Sequence, residues 1–199
     1  FTQALAAPGD GTNLIEVTGP AGIGKSVFVA HAIHAQGSDR EGFSSVALRP
    51  HDAFAPYSAM HQIARCCGLS TGLKTRWQEL LPTLARALPS RLIIEDWHWS
   101  DSASRLLFTA LLRSPPQSAI ILIHRGHPHQ YDSLPIRTTS VPLNALSAAD
   151  VATVITDETG QPATPESVEI VNRLAAGNPF WTRELARELT VESLAELDN

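Results

Sequence analysis

The run Asn13-Leu14-Ile15-Glu16-Val17-Thr18, followed by Gly19-Pro20-Ala21-Gly22-Ile23-Gly24-Lys25-Ser26, decides how this chain is read. The first six residues are short, apolar and β-branched, the pattern of a strand. The next eight form a complete G-x-x-x-x-G-K-[ST], and Ser26 to Ala35 reads as a helix. Gly22 and Gly24 allow backbone conformations closed to other residues, so successive N–H groups can point at one phosphate chain. The helix that begins near Lys25 adds the positive end of its dipole. Lys25 brings a mobile charge for β and γ phosphates, and the Ser26 hydroxyl can ligate Mg²⁺. A strand before and a helix after separate this pattern from a glycine-rich turn that happens to carry Lys-Ser.

Outward from this loop, strand-like and helix-like segments alternate. Phe43 to Leu48 reads as a strand stopped by Arg49-Pro50, and Tyr57 to Cys67 and Thr75 to Leu88 as helices, the second bent at Pro82. Leu92 to Glu95 is a third strand. In Ser102 to Arg113, residues Ala103, Leu106, Leu107, Ala110 and Leu111 recur at helical spacing, with Ser100 or Asp101 as cap and Ser114-Pro115-Pro116 as stop. Ala119 to Ile123 is a fourth strand and Thr138 to Val141 a short fifth. Strands separated by helices pair in parallel through crossovers, which predicts a doubly wound α/β sheet sandwiched by helices. After Asn144 three short helices (about 147–158, 165–175 and 179–190) follow with no strand. The expected organisation is a core over 1–144 and a small helical subdomain over 145–199.

Composition sets the limits. With 199 residues, 43% of them hydrophobic, and a charge sum of 15 − 20 = −5, the chain can bury a core and is not dominated by disorder. No apolar run approaches the roughly 18 residues of a membrane span, so no membrane is expected as partner. The acidic balance gives no footprint for direct DNA binding by this segment. The two cysteines, Cys66 and Cys67, are adjacent, where an unstrained disulfide is rare, so they are read as filling a helix face in a reducing, cytoplasmic setting. The only methionine is Met60, and the chain starting at Phe1 is expected to be a piece of something longer.

A phosphate cradle needs a carboxylate near its metal, at the end of a neighbouring strand. Arg91-Leu92-Ile93-Ile94-Glu95-Asp96 supplies two. One acid is expected to hold Mg²⁺ and the other to polarise the attacking water. Leu92 to Asp101, LIIEDWHWSD, resembles the L-x-x-D-D-L-H-W-A-D segment of the STAND-type ATPases, AAA-related P-loop domains found in large LuxR-type transcriptional regulators and beside cyclase or kinase modules. GPAGIGKS is similar to their Walker A. The resemblance covers most of the chain, and the Trp97-His98-Trp99-Ser100-Asp101 tail is its most selective part.

The resemblance implies a P-loop NTPase sheet followed by a helical lid, with ATP or ADP and Mg²⁺ between them. The implied nucleotide contacts are Gly19, Pro20, Ala21, Gly22, Ile23, Gly24, Lys25, Ser26 and Val27, with Pro179 of Gly177-Asn178-Pro179, similar to the family's G-x-P element, near the base. The metal candidates are Ser26, Glu95 and Asp96. Glu95 stands where the family usually has its first aspartate; one register gives Glu95 the metal and Asp96 the catalytic role, and the other makes Asp96 the metal residue. Lys25, Asp96 and Arg125 are the catalytic candidates, Arg125 being similar to a sensor arginine that reads the γ-phosphate. The family's upstream Gly-Arg-Glu element has no counterpart in Phe1 to Ala7. The implied function is a slowly hydrolysing ATP switch, with other domains of a parent protein, and self-association, as partners. Two alternatives stand beside it: a nucleotide-binding module without hydrolysis and a small-molecule kinase. His124, His127 and His129 are spaced as metal ligands could be, but no cysteine lies near and Gly126 and Pro128 mark a loop. His98 and Trp99 are read as bracing the acidic strand.

Overall fold

The three central strands of the parallel sheet are buried along nearly their whole length, whereas the two edge strands are largely accessible. The computed structural model describes residues 12–35, 42–72, 74–113, 117–126, 131 and 133–188. Phe1 to Ala7, Ser114-Pro115-Pro116 and the end of the last helix lie outside them. In order the elements are β1 (Asn13–Thr18), α1 (Lys25–His34), β2 (Ser44–Ala47), α2 (Ser58–Cys66), α3 (Trp77–Ala87), β3 (Arg91–Glu95), α4 (Ser102–Arg113), β4 (Ala119–His124), β5 (Arg137–Pro142), α5 (Ala148–Thr159), α6 (Pro165–Ala175) and α7 (Pro179–Glu188). Two 3-10 turns, Pro50–Phe54 and Trp97–Trp99, have no counterpart in the hydropathy pattern. α3 runs through Pro82 without ending there.

The five strands form one sheet in the order β2-β3-β4-β1-β5, every pair parallel. β4 is buried at all six positions, as a central parallel strand requires. Leu14, Leu92, Ile94, Ile120 and Leu122 form one cluster with Ala59, Met60 and Ile63 of α2, Leu84 of α3, and Phe108, Leu111 and Leu112 of α4. The alternate residues Ile15, Val17, Ile93, Ile121 and Ile123 point to the opposite face and are buried too. Cys66 and Cys67 are free thiols packed against the first cluster, and burial, with Cys66 beside it, pushes the Cys67 thiol up to about 11.

The chain divides into two compact units: residues to Gly19 with Lys25–Pro142, and Pro20–Gly24 with the residues from Leu143 on. In the second unit, Val151 and Ile155 of α5, Val171 and Ala175 of α6 and Ala186 of α7 make a small core of their own. Ser147 caps α5 through a reciprocal pair of bonds with Asp150, and Thr164 caps α6 with Pro165 in its first turn. Gly177, at φ 68, ends the turn after α6; a Cβ there would lie 2.7 Å from the Leu146 carbonyl oxygen. Among the described residues no helix is long and apolar enough to cross a membrane.

In the first unit, Asp101 is the cap that the sequence narrowed to two residues. Its Oδ1 accepts from Ser104 N–H at 2.9 Å, at the start of α4, and from Tyr57 N–H at 2.9 Å, just before α2. Burial pushes this carboxyl up, but bonds from Ser104, Tyr57 and Ala59 outweigh burial and hold it below its ordinary 3.8. A depressed carboxyl stabilises the fold above its unfolded value and loses that contribution as pH falls through the folded one. Asp101→Ala is therefore expected to lower stability by about 2 kcal/mol in urea unfolding at pH 7. Asp101→Asn should reduce the loss of stability that the wild type shows as pH drops below 3.8. An unchanged acid profile would show that Asp101 is not a source of that loss.

Candidate functional site

In the first unit, the carboxyl ends of β1, β3 and β4 carry the charged candidates. The register sets Thr18 beside His124 and Ile94 beside Leu122, so these strands end together. Ser26, in the first turn of α1, donates its hydroxyl to Glu95 Oε2 at 2.9 Å. Two of the three metal candidates are thus side by side. Lys25 is buried and its Nζ donates to the Gly19 carbonyl at 2.8 Å. Burial lowers the Lys25 pKa from its ordinary 10.5; the positive Arg125 lowers it further and Asp96 opposes both. Arg125 itself is exposed where β4 ends.

Asp96 turns away from the strand with a left-handed backbone, φ 55 and ψ 39. Its side chain is half exposed and lies 3.7 Å from His98 Nδ1. His98 is kept toward its neutral form chiefly by burial, against Asp96 and with Arg125, Lys25 and His124. Its ring stacks on Trp99 at 4.8 Å, and neither ring nitrogen has a hydrogen-bond partner among the described residues. The rest of the selective tail is architectural. Trp97 is fully buried against Phe108 at 4.8 Å, Trp99 packs on the core, and Ser100 accepts from Arg105 Nε at 2.8 Å.

The loop residues Pro20–Gly24 belong to the second unit. Gly22 and Gly24 have φ of 74 and 89, the left-handed backbone that their motif positions predict. A Cβ on Gly24 would meet nothing within 4 Å, so its surroundings are open. Pro20, Ala21 and Gly22 are exposed and Ile23 is buried; Val27, at the start of α1, is exposed. Pro179 opens α7, directly after Asn178, which caps that helix through Oδ1 to the N–H groups of Phe180 and Trp181.

A serine hydroxyl and a carboxylate 2.9 Å apart form the hard oxygen donor set that Mg²⁺ prefers. Among the described residues no three His, Cys, Asp or Glu side chains could hold a metal on their own. The set therefore suits an ion that completes its shell with phosphate and water, the usual habit of Mg²⁺. His127 and His129 lie outside the described residues. His124 is engaged elsewhere: it is fully buried on β4, with Nε2 3.2 Å from Glu16 Oε1 and Nδ1 3.1 Å from the Arg125 carbonyl. Glu16, also fully buried, belongs to no motif; a lone carboxylate in an apolar strand is the signal that it needs a buried partner.

Three solved structures share this architecture to differing degrees. Cdc6p from Pyrobaculum aerophilum superposes with a TM-score of 0.57 at 13% identity, over 98% of this chain and 58% of its own. A RuvB variant from Thermotoga maritima gives 0.50 at 11% identity, over 92% and 56%. A STAND protein with a tetratricopeptide repeat sensor from Pyrococcus horikoshii gives 0.48 at 17%, over 92% and 31%, too low to bear on the argument. No protein-family model and no curated protein matches the chain. The chain spans a little over half the length of the first two structures, and with its five-stranded parallel sheet it has their α/β P-loop NTPase fold.

The burial of Lys25, with Arg125 adding to it, has a measurable cost. A lysine whose folded pKa is lowered disfavours the folded state while charged, and stability recovers as pH rises toward the ordinary value. Lys25→Met is expected to melt at the same or a higher temperature than the wild type at pH 7, with the gap closing toward pH 10.5. A clear fall in melting temperature would show that the ammonium is a net stabiliser.

Proposed function

We propose that this chain is the ATP-binding, slowly hydrolysing switch domain of a multidomain signalling or transcriptional regulator. The observation that supports it most is the Ser26–Glu95 hydrogen bond, which sets two oxygen ligands together just after the glycine-rich loop. In this reading the N–H groups from Gly19 to Val27 hold the phosphates, and Lys25 leaves the Gly19 carbonyl for the β and γ oxygens. Ser26 and Glu95 would hold Mg²⁺, and the ion would supply charge to offset that of the phosphates. Asp96, half exposed beyond the strand end, orients and deprotonates the attacking water. Arg125 stabilises the charge on the transferring phosphoryl group. The helices from about residue 145 on serve as the lid, with Pro179 near the base. Other domains, and further copies of this chain, are its proposed partners, and direct DNA binding is not among its tasks.

A second reading, binding without turnover, is favoured by the same contact: the longer Glu95 reaches Ser26 directly and competes for the place of the ion. Calorimetric titration with ATP and Mg²⁺ tests the shared claim. Lys25→Ala is expected to weaken binding at least about tenfold, a loss of about 1.4 kcal/mol. Equal binding by both proteins would refute the site. Phosphate release separates the two readings: turnover that Asp96→Asn reduces about a hundredfold supports the switch, and release no faster than the Lys25→Ala background supports the module.

A further inference from the structure

One side chain of the second unit grips the glycine-rich loop from the far end of the sequence. Asn178 uses Oδ1 to cap α7, accepting from Phe180 N–H at 3.1 Å and Trp181 N–H at 3.4 Å. Its Nδ2 donates to the Ala21 carbonyl at 2.8 Å, across 157 positions. The two contacts fix the amide's orientation, since the reverse would set donor against donor and acceptor against acceptor. The fit is close: a Cβ on Gly22 would lie 2.9 Å from Oδ1, 3.1 Å from Nδ2 and 3.3 Å from Phe180 Cβ.

The peptide between Ala21 and Gly22 is planar and trans, so its carbonyl and its N–H point in opposite directions. A carbonyl held toward Asn178 aims the Gly22 N–H away from it. Glycine at φ 74 has no side chain to choose between conformations, so a contact from outside the loop can set this direction. We propose that Asn178 is a positioning residue for the phosphate site: by holding the Ala21 carbonyl it pre-sets the Gly22 N–H for an anionic ligand. The proposal rests on the nucleotide reading above and adds the group that organises the loop beforehand. Pre-ordering removes a conformational cost that the ligand would otherwise bear. Asparagine is the suitable residue because serine, threonine and aspartate also cap a helix, but only the amide adds a donor on the same plane.

The test separates cap from grip. Asn178→Ser keeps a neutral capping oxygen but falls one bond short of Ala21, whereas Asn178→Ala loses both functions. Measured on the full chain, Asn178→Ser is expected to melt close to the wild type and to bind ATP with Mg²⁺ roughly five- to tenfold more weakly. Its amides at Gly22 to Gly24 should exchange hydrogen faster while those of α7 do not change. Asn178→Ala should show the same loop effect and a lower melting temperature. Wild-type affinity in Asn178→Ser, in a protein that binds ATP, would overturn the proposal. If the wild type binds no ATP, the nucleotide reading fails, and loop exchange alone decides whether Asn178 holds the loop. Should the serine variant not fold, Asn178→Asp keeps the cap, replaces the donor with an acceptor, and is judged by the same exchange.

Discussion

Parallel pairing of β1, β3 and β4 in one register is the constraint on which the rest depends. Because Asn13 and Arg91 both pair with Ala119, three strands of similar length run side by side and finish along one edge. Apart from Glu16 and Thr18 of β1 their buried positions are mostly apolar, so burial alone resists a slip by one residue weakly, but such a slip would take Glu95 from Ser26 and His124 from Glu16. The polar contacts at the strand ends thus complete a register that hydrophobic burial alone specifies loosely.

Most of the architecture was legible in the chain. Alternation of β-branched runs with helical periodicity gave every strand and helix to within a residue or two, because buried parallel strands and amphipathic helices carry strong patterns. The turns Pro50–Phe54 and Trp97–Trp99 were not legible, since a 3-10 turn is too short to show a period. The loop and Glu95 could be named from local motifs. Asn178 and Glu16 could not be read in the same way: their partners lie 157 and 108 positions away, and only folding brings them together. The tail from Trp97 to Asp101 was legible as a resemblance and, at its end, as a helix cap, whereas the full burial of Trp97 against Phe108 was not. Four of its five residues are occupied by core packing, a hydrogen bond to Arg105 and the cap of α4, which leaves His98 as the one turned toward the charged groups.

The charged groups at this edge act on one another's protonation. Lys25, Arg125 and a largely neutral His98 lie within reach of one another, with Asp96 as the acid that opposes them. Asp96 thus offsets part of the repulsion between the two cations.

Asp96 carries a further consequence. A left-handed backbone at φ 55 costs an ordinary residue about 1–2 kcal/mol, and aspartate, asparagine and glycine are the types that tolerate it best. Aspartate at this position thus combines a carboxylate with tolerance of the bend. Alanine scanning here would mix a lost charge with a twisted main chain and overstate the chemistry. Asparagine removes the charge and spares the geometry, and glycine relaxes the bend, so the pair divides what a single truncation confounds.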